Sequence, residues 1–443
     1  MSRRITVGAA LALALLLVAA SIPLTMMFAQ SEQNKLIPKL PELIGKFNAL
    51  DEIQRKVYDK FYASPAEDAV NAAMVSGYIA GLGDPESRYL SPEEYQSFMQ
   101  RLAGEEPELG IVLRYSPELA ALVIDQVKAG STAEVSGLKR GDHIVKAVAG
   151  GQELSIKAEV EPDKAADEIA AFYKETAVTA DTSSLSITIT YERDGKAWPP
   201  VNVMLGSAVS SISAYMMDSY AGSDVPPTKT IGYIKIFHFF KNTAEQIAAA
   251  VKDLSRQGAE SYILDVRGCS EGNLEYVCEA IDLFAYVPQD TGALVTVHYR
   301  DGTPVFKPST SGNMMSYTTG GFVAVLINGR TSGVAELFAY DLREFNQKKV
   351  FLIGEPTKGI KTMQEPYPLA SVGGAALLTV GTLVPYGGNT AWNEGGVQPG
   401  AATEEDTARG VARGILYHIK GVEQQQLNGA LLMFDILGKD NNS

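Results

Sequence analysis

Phe322-Val323-Ala324-Val325-Leu326-Ile327 is six apolar residues without a charge, and Asn328-Gly329-Arg330-Thr331-Ser332-Gly333 after it is a polar turn. From Val334 to Phe345 the apolar residues then fall at helical spacing. A short, uniformly apolar strand belongs to a parallel sheet covered on both faces, and one that empties straight into a helix is half of a βαβ unit.

The same pattern repeats on either side. Strands are expected at Ile231 to Ile236, Tyr262 to Val266, Leu294 to Tyr299 and Val350 to Ile353, with helices from Thr243 to Gln257, capped by Asn242, and near Leu274 to Phe284. Such alternation predicts a layered α/β domain whose active-site loops gather at the strand ends. No glycine fingerprint for a dinucleotide or a phosphate loop follows any of these strands, so nucleotide chemistry is not expected.

Upstream the character changes. Pro107 to Leu205 reads as strands at Leu109 to Tyr115, Leu122 to Val127, Ile144 to Val148 and Leu185 to Tyr191, with an amphipathic helix over Asp163 to Tyr173 and a hairpin turn at Asp194-Gly195. Before it, Leu43, Phe47, Leu50, Val57 and Phe61 form one helical stripe, and Val70, Met74, Tyr78 and Leu82 another. Ser91-Pro92 with Glu94 has the form of a capping box that opens a third helix.

At the N-terminus Arg3 and Arg4 precede an uncharged stretch from Ile5 to Gln30. This is an export signal. About 20 apolar residues span a bilayer, and no clean small-residue cleavage site stands before Ser31, so a single-pass cell-membrane anchor with an extracytoplasmic remainder is expected. Cleavage would instead give a secreted protein. The expected layout is therefore anchor 1–30, helical segment 31–106, β domain 107–206, α/β core 207–400 and a tail 401–443 with helical runs near Val411 to Ile419 and Leu427 to Leu437.

Composition narrows the function. Of 443 residues, 38 are Lys or Arg and 52 are Asp or Glu, a net charge of -14 that disfavours nucleic acid as a partner. Only Cys269 and Cys278 are available as thiols, and the four histidines are scattered, so no metal or other cofactor is expected. A Cys269 to Cys278 disulfide would suit an exported chain, but Cys278 falls on a helix, which makes its closure uncertain.

The run Gly137-Leu138-Lys139-Arg140-Gly141-Asp142-His143-Ile144 resembles a PDZ domain, and Leu109-Gly110-Ile111-Val112 resembles its carboxylate-binding loop. This resemblance implies that an extended C-terminal peptide pairs with the strand at Leu109 to Val112, with Ile169 lining the side-chain pocket. In order along the chain, Leu82 to Tyr95, the PDZ-like run, Ile231-Gly232-Tyr233-Ile234, Asp265-Val266-Arg267-Gly268, Val325 to Gly329 and Gly354-Glu355-Pro356-Thr357 resemble the C-terminal processing peptidases. These tail-specific serine proteases imply a ClpP/crotonase-like α/β core with an inserted PDZ β-sandwich, acting on polypeptide C-termini or unfolded proteins.

In that family a lysine kept neutral by burial activates a serine, and main-chain N–H groups hold the oxyanion, where one donor is worth ~3 kcal/mol. The family's serine lies three residues before the glutamate that matches Glu336, which puts Gly333 in its place. Its lysine position falls on Ile360, between Lys358 and Lys361. The oxyanion segment reads Asp265 to Gly272 with Cys269, Ser270 and Glu271 as substitutions, and a carboxylate at Glu271 beside Gly272 would repel a developing oxyanion. The resemblance therefore implies a pseudopeptidase. The alternative is an active peptidase using Ser332 with Lys358 or Lys361, although one residue of shift at a helical turn swings a side chain by ~100°. Ser332 is otherwise a helix N-cap, and Cys269 a small buried residue rather than a nucleophile.

Overall fold

The computed structural model describes residues 40–105, 109–116, 119, 121–128, 130–149, 152–154, 186–204, 210–217, 231–285, 294–300, 302, 304–306, 322–346, 349–386 and 395–419. Helices α1 (Leu40–Lys60), α2 (Glu67–Ala80) and α3 (Pro92–Ala103) come first, with strand β1 (Arg88–Leu90) before α3. A β-rich region follows: β2 (Ile111–Ser116), β3 (Ala121–Val127), α4 (Thr132–Val135), β4 (His143–Ala149), β5 (Gln152–Leu154), β6 (Ser186–Arg193), β7 (Lys196–Ala197) and β8 (Val201–Met204). Next come β9 (Ile212–Met216), β10 (Ile231–Ile236), α5 (Thr243–Arg256), β11 (Ser261–Asp265), α6 (Leu274–Phe284), β12 (Val295–Tyr299), β13 (Val305–Phe306) and β14 (Val323–Ile327). The last elements are α7 (Val334–Phe345), β15 (Val350–Gly354), β16 (Thr362–Pro368), β17 (Ala375–Pro385), β18 (Ala401–Ala402) and α8 (Glu405–Ile419).

Alternation along the strands builds the core. In the order β18-β15-β14-β11-β10-β9, five strands run parallel and β9 closes one edge antiparallel to β10. Ile234, Leu264, Val325 and Leu352 face one side, where Ile247 and Val251 of α5, Ile281 of α6 and Phe338 of α7 cover them. Their neighbours Tyr233, Ile263, Ala324 and Ile353 face the other side, under Ala408, Ala412 and Ile415 of α8. The tail after Gly400 thus begins as part of the core, and its helix starts earlier than the apolar run at Val411 suggests.

A second sheet, β1-β17-β12-β13 with β16 on β17, was not expected from the sequence beyond β12. β1 pairs with β17 from Arg88↔Leu377 to Leu90↔Ala375. Ser87 fastens the approach: its hydroxyl accepts from Thr379 N at 2.9 Å and donates to Asp84. The expected capping box is present, with Glu94 N donating to Ser91 Oγ at 3.2 Å and Ser91 N to Glu94 Oε2 at 2.8 Å.

The β-rich region forms its own antiparallel sheet, β2-β3-β4-β6-β7 with β5 on β4 and β8 on β6, around Ile124, Leu138, Ile144, Ile187, Ile189 and Val203. Asp194 and Gly195 turn its β6–β7 hairpin with φ of 53° and 70°, the left-handed pair that matches strand twist.

One expectation is corrected, and two points the sequence left open are filled in. Asn242 precedes α5 in a left-handed conformation with no side-chain cap, and the Thr243 hydroxyl instead accepts from Phe240 N at 2.9 Å. The apolar stripes of the first segment fall on and just beyond helices α1 and α2, and Leu50, Phe61, Val70, Met74, Tyr78 and Leu82 on them are exposed. Cys269 and Cys278 are free thiols rather than a disulfide. Among the described residues no helix is long and apolar enough to cross a membrane. The expected anchor at 1–30, the helix at Asp163 to Tyr173 with Ile169, and the run Leu427 to Leu437 lie outside those residues.

Candidate active site

Three parallel strands, β11, β14 and β15, deliver their carboxyl ends to one place, where an open α/β sheet presents its ligands and reactive groups. The loop after β14 is fixed by short polar side chains. Asn328 Oδ1 accepts from Gly268 N at 3.0 Å and Arg330 N at 3.1 Å, while the Thr331 hydroxyl donates to Val266 O at 2.9 Å and accepts from Asn328 N at 3.1 Å. Asn328 is 1% and Thr331 0% exposed, so these bonds replace water that neither side chain can reach. They lock the ends of β11 and β14 together.

Gly333 is the N-cap of α7, with φ 62° and ψ -124°. That sharp strand-to-helix turn is the kind on which a nucleophile elbow displays its serine. A Cβ built on Gly333 would meet none of the described residues within 4 Å, so the turn carries no side chain and leaves room for one. Ser332, the expected cap, instead lies inside: it is 5% exposed, and its N donates to Cys269 O at 3.0 Å.

Glu336, one turn into α7 and fully buried, organises the surroundings. Its carboxylate accepts from Gly333 N at 2.9 Å, Gly359 N at 2.7 Å, Ile360 N at 2.8 Å and the Thr357 hydroxyl. Burial raises its carboxyl above the ordinary range, against the downward pull of those donors. One side chain thereby fixes both the turn at 333 and the loop from 357 to 360. Thr357 continues the chain of bonds by accepting from Val397 N at 2.7 Å. Glu336 was recognisable in the sequence only as an alignment anchor; its buried acceptor role needs the fold.

The structure does not bring the alternative catalytic groups together. Lys358 is exposed, held through its N to Thr331 O at 3.0 Å, and Lys361 is half-buried with its O accepting from Leu383 N at 2.7 Å. Among the described residues no hydrogen bond joins the Ser332 hydroxyl to either amine. Ile360 is half-buried and offers no base. Cys269 is 0% exposed, and burial pushes its thiol up to about 12, which leaves it protonated and unreactive at neutral pH.

In the oxyanion segment Asp265 is clamped by Arg267 Nε at 3.0 Å and Nη2 at 2.5 Å and by Lys235 Nζ at 3.2 Å. Burial raises the Asp265 carboxyl, but Lys235 and Arg267 more than reverse this and hold it far below the usual range. Glu271 does not lie free beside a reaction centre: its Oε2 is 3.4 Å from Arg101 Nε, with just over half of its side chain exposed. Gly272 is where the segment closes on the helix start. A Cβ there would stand 2.8 Å from both Phe239 Cβ and Val334 Cγ2.

Of the expected peptide-binding residues, Leu109, Ile111 and Val112 are half-buried and Gly110 is buried. Gly110 O accepts from Lys128 N at 2.8 Å, and Ile111 and Val112 pair with Val127 and Gln126 on β3, so among the described residues β2 stands at the sheet edge.

Residues 230–402 match the family model described as Peptidase family S41. The chain is 25% identical over 322 residues to the carboxy-terminal processing protease CtpA of Bacillus subtilis, covering 72% of this chain and 61% of that one. It is 28% identical over 368 residues to the carboxyl-terminal-processing protease of Synechocystis sp., covering 79% and 76%. Among solved structures, the photosystem II D1 C-terminal processing protease aligns over 80% of this chain and 86% of its own, at 20% identity and a TM-score of 0.43. Carboxyl-terminal processing proteases are thus homologues of this chain.

Proposed function

We propose that this homologue of the carboxyl-terminal processing proteases is a non-catalytic, membrane-tethered extracytoplasmic protein that binds polypeptide C-termini through a PDZ domain spanning 107–206. One observation carries the reading: the turn that should present the nucleophile is intact, yet it holds Gly333 and carries no side chain, with room left for one among the described residues. Ile360 in the lysine position supports it, since a serine without a base has no route for losing its proton. The β2 edge beside Leu109 to Val112 supports the binding half, because strand addition needs an unpaired edge. Two assays test it. Purified chain is expected to leave casein and tail peptides uncut, and to bind C-terminal peptides only when their carboxylate is free. Cleavage that disappears in Ser332→Ala overturns the first half, and binding indifferent to C-terminal amidation overturns the second.

A further inference from the structure

A cavity of about 650 Å³ lies between strand β3 with the α4–β4 connection, on one side, and strand β9 with helix α8 on the other. It shares no residue with the turn at 333 or with Leu109 to Val112. All five residues from Ser213 to Met217 line it. A strand seen face-on shows only alternate side chains, so the cavity looks onto the edge of β9.

The ladder fixes what that edge offers. Met217 N donates to Ile231 O, and Ser211 O accepts from Phe237 N, both at 2.9 Å. Odd-numbered residues of β9 therefore spend their main-chain groups on β10, and Ala214 and Met216 turn theirs the other way. Among the described residues β9 has no second strand neighbour. Two buried polar atoms at the cavity also lack a hydrogen-bond partner: Gln126 Oε1, on a side chain 2% exposed, and the Tyr215 hydroxyl. Buried groups of this kind are costly unless something supplies the missing bond.

Charge selects the occupant. Lys139 and Arg140 stand exposed at the lining with no carboxylate partner among the described residues, and Arg140 lies 5.1 Å over the Tyr215 ring. Arg409 is already committed to Asp125 at 2.8 Å, and the lining carboxylate Glu134 accepts from Gly130 N at 2.7 Å. On a chain of net charge -14 this is a local excess of cations. We propose that the cavity binds an extended acidic polypeptide segment, which adds as a strand to the β9 edge at Ala214 and Met216 and places a carboxylate side chain between Lys139 and Arg140.

The test uses the full chain and fluorescein-labelled Val-Glu-Val-Glu-Val-amide, whose blocked C-terminus separates this site from any pocket that reads a free carboxylate. Anisotropy is expected to show saturable binding, weakened at least about fivefold when glutamine replaces glutamate in the peptide and again in Arg140→Glu. Ala214→Pro removes an edge donor that β10 does not use, so it is expected to weaken binding by a similar factor while the thermal melt matches that of the unsubstituted chain. Equal binding of the Glu and Gln peptides, or unchanged affinity in Ala214→Pro, overturns the proposal. So does absence of binding, and so does full displacement by glutarate at concentrations similar to the peptide's, which would make the site one for small anions.

Discussion

Gly333→Ala isolates the turn at the head of α7. An L-residue at φ 62° and ψ -124°, outside the left-handed helical basin, costs about 1–3 kcal/mol in backbone strain, and stiffening of the unfolded chain returns a few tenths to ~1 kcal/mol. No steric penalty is added, because the new methyl would meet none of the described residues within 4 Å. The net loss is about 1–2 kcal/mol, or roughly 2–8 °C in melting temperature for a core of this size. Gly272→Ala is the internal contrast, since its methyl would press on Phe239 Cβ and Val334 Cγ2 at 2.8 Å and should cost about 3 kcal/mol, the upper end for an overpacked core. Urea unfolding of both variants measures the difference. A Gly333→Ala variant as damaged as Gly272→Ala would show that the space is filled, and a stabilised one would show that φ there is negative; either refutes the open, strained turn at Gly333. In the same series Gly333→Ser should fold yet remain inert to a fluorophosphonate probe, because Ile360 cannot take its proton.

Glu336→Ala strands four donors in a dry site and should cost about 3–5 kcal/mol by urea unfolding, with Glu336→Gln intermediate because it keeps an acceptor oxygen. His238 is held neutral, its imidazole depressed to about 3 by burial and by Lys128 and Arg101, so below pH ~6.5 the unfolded chain takes up a proton that the folded chain does not. Stability should therefore fall as pH drops from 6.5 toward 4.5, and His238→Phe, which keeps the stack on Phe240 at 4.4 Å, should flatten that limb in urea midpoints. Below pH ~4 Asp265 adds a second loss, since its folded carboxyl resists protonation. Cys269 and Cys278, both raised to about 12 by burial, should resist iodoacetamide at pH 8 in the native state and react fully in urea.

The parallel core was legible because its strands are buried on both faces and leave no ambiguity of pattern: α6 and α7 fall where apolar periodicity puts them. The second sheet was not. β16 reads Thr-Met-Gln-Glu-Pro-Tyr-Pro from Thr362, a half-exposed strand whose register against β17 shifts at Met363/Gln364, and neither alternation nor β-propensity marks it. The N-terminal stripes marked helices but not their surroundings, since helical spacing reports an apolar face and not what covers it. At the site, it is the resemblance read from the residues that assigns Gly333 and Ile360 to the serine and lysine positions. The hidden part was direction: Glu271 turns to Arg101, Ser332 turns inward, and the cap belongs to Gly333, all decided by loop geometry and not by composition.

The bare turn at Gly333 also makes a socket for chemistry of the experimenter's choosing. A thiol installed there by Gly333→Cys would sit at the positive end of α7, where the helix dipole favours thiolate, with only backbone strain resisting it and no neighbour among the described residues to crowd a dye. With Cys269 buried, Cys278 half-buried and both thiols raised to about 12, such a label would report from this turn rather than from the native cysteines.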